Sequence, residues 1–101
     1  MNLESFFDEE ESTQYNTEID VETRKRIKVS VYAYLYEYAG ISVISDSEYD
    51  QLALTIDLSI NTRRPDLDKW FRDNFSPYTG MWIRKHPERQ RIAEIANKYF
   101  V

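Results

Sequence analysis

The spacing of apolar side chains from Asp20 onward leaves one class of fold open. Ile27, Val31, Tyr34, Leu35 and Tyr38 recur at intervals of four, three, one and three, which lines them along one helical face. Asp20 reads as an N-cap, and Gly40 stands where a C-cap belongs, so a first helix is predicted from Val21 to Ala39. Ser45 and Glu48 form a capping box that opens a second helix. That helix carries Tyr49, Leu52, Ala53, Ile56 and Ile60 on one face and is expected to end near Asn61. Pro65 fits the first turn of a short third helix bearing Leu67, Trp70, Phe71 and Phe75. Ser76 to Gly80 is a turn by its proline and glycine chemistry, and Met81, Trp82 and Ile83 form an apolar knot expected to plug the core. Pro87 opens a last helix with Ile92, Ile95, Ala96 and Tyr99 as its inward stripe. The expected fold is all-α, a small bundle of about four helices with a helical hairpin at residues 21–61.

A length of 101 residues fits one domain, and 42% apolar with 15% aromatic residues can supply its core. Charge is unevenly placed. Residues 1–23 hold eight acids and no base, whereas the rest hold ten acids and thirteen bases. Residues 1–19 therefore read as an acidic, flexible arm ahead of a single helical domain over 20–101. Phe6 and Phe7, followed by four consecutive acids, are an interaction motif or fold back on the body. The basic run Arg24-Lys25-Arg26-x-Lys28 pairs with that arm or forms a solvated face.

Several chemistries are excluded. With no cysteine there is no disulfide framework and no thiolate metal site, and the acids lack the spacing of a calcium loop. Two glycines forty residues apart cannot build a phosphate-cradling loop. His86, the one histidine, precedes Pro87 with no nucleophile near it in sequence, which suits a capping or surface role. The reading is a non-enzyme that requires no cofactor. A net charge of −5 opposes direct nucleic-acid binding, although Arg63-Arg64, Arg84-Lys85 and Arg89-x-Arg91 could converge on one face. No apolar run approaches the length of a membrane span, and the acidic beginning is unlike a signal peptide, so a cytoplasmic location is expected.

What remains unusual is a tyrosine–carboxylate segment. Tyr32 and Tyr36 share one face of the first helix, Tyr34 and Tyr38 another. On the second helix Asp46, Tyr49 and Asp50 share a face at i, i+3 and i+4. A hairpin brings these rings and carboxylates together, an arrangement suited to a flat, cationic or amide-bearing ring. Asp46 and Ser45 are also what any helix N-terminus prefers, and Tyr49 can serve as a core residue.

Tyr34-Leu35-Tyr36 and Ile44-Ser45-Asp46-Ser47-Glu48-Tyr49-Asp50 resemble, at matching separation, the small helical N-terminal Ia domain of bacterial NAD-dependent DNA ligases. Arg64-Pro65-Asp66-Leu67 answers that family's His-Pro-Glu-Leu-like signal one residue late, and the resemblance spans about residues 32–67. Short phage-encoded ligase-related proteins are similar too. The resemblance implies a domain that grips the nicotinamide mononucleotide (NMN) half of NAD. It implies stacking by Tyr36 and polar contacts from Asp46, Tyr49 and Asp50. Glu37 stands where the family usually has histidine, an acceptor in place of a donor-capable ring. The adenylation domain with its lysine nucleophile is absent from this sequence.

Two other readings stand beside a nicotinamide-binding accessory module. One is a protein-interaction module, or inhibitor of a host enzyme, that acts through the acidic arm and an aromatic surface rich in Tyr, Trp and Arg. The other is an acidic mimic of DNA, which ranks last because the acids are concentrated in the arm.

Overall fold

The computed structural model describes residues 17–100, except the Phe100 side chain. Most of the expected acidic arm, with Phe6 and Phe7, lies outside the described residues. Four α-helices are described: α1 (Glu18–Tyr34), α2 (Asp46–Leu54), α3 (Pro65–Asn74) and α4 (Arg89–Phe100). A π-helical turn, Leu35–Ala39, extends α1, and a 3₁₀ segment, Met81–Lys85, precedes α4. The fold is all-α, as expected, and no strand occurs among the described residues.

The first helix begins earlier than predicted. Thr17, not Asp20, is its N-cap: the Thr17 hydroxyl oxygen accepts from the Asp20 backbone N–H at 3.2 Å and donates to the Asp20 carboxylate at 2.7 Å. Asp20 instead sits buried in the first turn, where Arg63 pairs with it and holds its carboxyl below the usual range, helped by Thr17. Gly40 closes the other end in the left-handed conformation (φ 66°), which glycine adopts without steric cost.

α1 runs through the middle of the domain, with Val29, Ser30, Val31, Ala33 and Leu35 all buried. Around it lie Ala53 of α2, Phe71 of α3, Trp82 and Ile83 of the 3₁₀ segment, and Ile92, Ile95, Ala96 and Tyr99 of α4. Trp82 and Ile83 plug the core as expected, while Met81 stays on the surface at 55% exposure. Trp82 packs edge-on against Phe75 at 5.0 Å and meets Phe71 at 5.8 Å. The expected inward stripe fails at Tyr38, which is 48% exposed and stacks on Tyr34 at 4.9 Å. The π turn is the cause: its wider backbone ring displaces every following side chain from the α-helical face.

α1 and α2 form an antiparallel hairpin, shorter than the predicted 21–61. The capping box forms as read, with the Ser45 hydroxyl accepting from the Glu48 N–H at 3.0 Å and Glu48 accepting from the Ser45 N–H at 3.1 Å. The helix, however, ends at Leu54 rather than near Asn61. A buried ion network takes over the backbone beyond it. Glu22 accepts from the Asp57 N–H at 3.1 Å, and Arg26 donates to the Asp57 and Ile60 carbonyls at 2.9 and 3.1 Å.

That network corrects the reading of the basic run. Arg26 is 4% exposed and bonds Glu22 and Asp68, each at 2.8 Å. Asp68 also accepts from the Thr62 N–H and hydroxyl, so the cation is neither solvated nor committed to the arm. The other arginines do not form one free patch either. Arg64 pairs with Asp66 and Glu88, and Arg84 with Glu37.

The last helix starts at Arg89, two residues after Pro87. His86 caps the turn before it by accepting from the Glu88 N–H through Nδ1 at 3.0 Å. It is buried, so the surface alternative falls, and burial lowers its pKa to about 4 against the opposing pull of Glu88. No described helix is long and apolar enough to cross a membrane.

Candidate functional site

A cleft of about 430 Å³ opens where the end of α1 meets the start of α2. Tyr36, Glu37, Asp46, Tyr49 and Asp50, the five residues singled out from sequence, all line it. The hairpin brings them together. The π turn carries Tyr36 and Glu37, the capping box fixes the first turn of α2, and Asp46, Tyr49 and Asp50 project from one face of it.

Each wall has its own chemistry. Tyr36 is 62% exposed and presents a ring at the rim, with Tyr32 one α-helical turn below. Asp46 and Asp50 are exposed and make no hydrogen bond or ion pair among the described residues, so their charge is available to a ligand. Glu37 is different: its side chain is 12% exposed and its carboxylate accepts from Arg84 Nη2 at 2.9 Å.

Tyr49 is half-buried with its hydroxyl turned inward. Burial pushes that hydroxyl up to about 12; the neighbouring Trp82 indole opposes the shift, and the charges of Asp50 and Glu37 add to it. The Tyr49 hydroxyl and the Trp82 indole N–H approach one another, yet neither completes a hydrogen bond in this structure. The loop before the 3₁₀ segment comes down on the same hydroxyl. A Cβ added at Gly80 would lie 3.6 Å from it and 3.5 Å from Ala33 Cβ.

Sequence reasoning missed this far wall. Tyr78 (86% exposed), Thr79, Gly80 and Met81 complete the cleft, which Ile41 to Ile44, between the helices, also line. An aromatic at the tip of a Pro-Tyr-Thr-Gly turn was the available signal, since a ring gains nothing there unless something covers it. Tyr34 and Tyr38 lie on another face, where Arg89 sits 5.8 Å from the Tyr38 ring centre. No group of three or more metal-ligating side chains occurs among the described residues.

The arrangement is an aromatic slot with two free carboxylates at one side and a buried hydroxyl at its base. It can hold a flat ring by stacking, attract positive charge on that ring, and exchange hydrogen bonds with an amide. A scan of protein-family models finds no match to this chain. Neither the curated proteins nor the solved structures include a match.

Proposed function

We propose that the chain is a stand-alone, non-catalytic module of the ligase-Ia type whose cleft binds a nicotinamide nucleotide, NMN or NAD. One observation carries the reading: the five residues chosen from the sequence, which lie on two helices, line a single cleft of mononucleotide size. The free carboxylates of Asp46 and Asp50 suit a pyridinium ring that bears positive charge, and Tyr36 offers a face on which to stack it. We extend this proposal to a phage accessory role in the host cytoplasm, either to assist or modulate a nucleotidyltransferase or to sequester a nicotinamide signal.

Thermal unfolding with NMN, NAD, nicotinamide and AMP tests this. At a hundredfold excess over Kd a ligand adds about 2.7 kcal/mol, which raises Tm by roughly ten degrees for a domain of this size. NMN and NAD are expected to produce that shift and AMP is not. Tyr36→Ala and Asp50→Asn both change exposed side chains, and each is expected to abolish the shift while leaving the unliganded Tm within about two degrees. Unchanged affinity in both variants defeats the assignment.

A second reading, a protein-interaction module or host-enzyme inhibitor, draws support from the exposed rim. Tyr36, Tyr78 and Met81 are large, exposed and line the same cleft, and exposed apolar side chains that cluster are what a protein partner covers. Absence of any shift at millimolar nicotinamide nucleotide would turn the search to protein partners.

A further inference from the structure

The cleft wall contains acids, tyrosines, apolar residues, Gly80 and the hydroxyls of Ser42 and Thr79, but no lysine, arginine or histidine to offset its negative charge. A nicotinamide nucleotide, however, carries a phosphate, which such a wall repels. The cation that an ion pair ties to the cleft is Arg84, from the 3₁₀ segment. Its guanidinium gives one N–H to Glu37, at Nη2, and the side chain remains 55% exposed. A guanidinium has five N–H donors in a planar fork, so a single bond to Glu37 orients the group without exhausting it. Glu37 is anchored in turn by the π turn and sits nearly buried at the cleft edge.

We infer that Arg84 is the anion-binding residue of this cleft and that Glu37 is its positioning residue. The site is therefore specific for a ligand that joins a cationic or amide-bearing ring to a phosphate. This rests on the nicotinamide-nucleotide reading above and extends it to Arg84, which lies outside the stretch that resembles the ligase domain, and to Glu37, where this chain departs from that domain's histidine. Asp46 and Asp50 suit the positive ring, while Arg84, held by Glu37 beside the cleft, suits a negative group that reaches past Glu37. The acceptor at position 37 fits this arrangement, because a carboxylate can hold a guanidinium that a protonated histidine would repel.

The test compares NMN with nicotinamide riboside, the same pyridinium nucleoside without phosphate, by calorimetric titration of the full chain. The wild type is expected to prefer NMN by about tenfold or more, as a charge-assisted hydrogen-bonded pair would give. Arg84→Gln should erase that preference through loss of NMN affinity; because it also releases the Glu37 carboxylate beside the cationic ring, nicotinamide riboside affinity is expected to hold or rise, not fall. Glu37→Gln should reduce the preference without abolishing it, because the guanidinium stays but loses its anchor. Equal wild-type affinity for the two ligands overturns the inference and leaves the nicotinamide reading intact. An equal loss of both ligands in Arg84→Gln also overturns it, by showing a structural role. Failure of the wild type to bind either ligand overturns the nicotinamide reading, and this inference with it.

Discussion

Tyr49 divides its side chain between the core and the cleft. Its ring packs against the core while its hydroxyl, at the base of the cleft, has no partner. An unsatisfied buried hydroxyl costs stability, and removal of the oxygen removes that cost. Tyr49→Phe is therefore expected to leave the unliganded protein as stable as before or more stable by up to about 1 kcal/mol, measured by urea denaturation. A loss of stability would mean that the hydroxyl bonds the Trp82 indole in solution. The residues of the near wall were legible because i, i+3 and i+4 spacing fixes which side chains share a helix face. Tyr78 and Met81 were not. They enter from a segment more than thirty residues away in sequence from Tyr36, and no local spacing links them to it.

At the level of elements, local chemistry was the reliable guide. The Ser45–Glu48 box, the left-handed Gly40 and Pro65 at the first turn of α3 all form where the sequence places them, since each depends only on neighbours within a turn. The capping box matters to the site as well, because it fixes the first turn of α2 from which Asp46 and Tyr49 project. Ser45→Ala removes both the serine acceptor and the geometry that returns Glu48 to the Ser45 N–H. It is expected to cost about 1 kcal/mol and to weaken ligand binding, whereas Ser47→Ala, beside it and outside the box, changes neither. Chemical denaturation of the two variants side by side separates capping from a general effect of losing a hydroxyl. The π turn and the early end of α2 were illegible for the opposite reason. One replaces i→i+4 pairing without a residue signature, and the other is imposed by Arg26 and Glu22 from more than thirty positions away.

Across the whole molecule, Arg26 joins parts that the hydrophobic pattern leaves separate. From α1 it reaches the carbonyls at Asp57 and Ile60, the Asp68 carboxylate in α3, and the face of Phe71 at 5.4 Å. Sequence alone presented it as one member of a charged run, and only the tertiary fold distinguishes it from Lys25, whose side chain is 27% exposed. Desolvation makes such a site costly to break. Arg26→Met would leave Asp68 buried without its cation, Glu22 with Lys25 alone, and two backbone carbonyls without a donor. The expected loss is about 3–5 kcal/mol, a large share of what a domain of this size has to spare. Arg26→Lys keeps the charge but cannot bond four acceptors from one planar fork, so it should recover only part of the loss. Lys28→Met, in the same basic run but only partly buried, should cost less than about 1 kcal/mol. Urea denaturation of the three variants decides the matter. Similar losses for Arg26→Met and Lys28→Met would return Arg26 to the solvated face that its neighbours suggest, whereas the expected order places the network at the junction of α1, the 57–60 segment and α3.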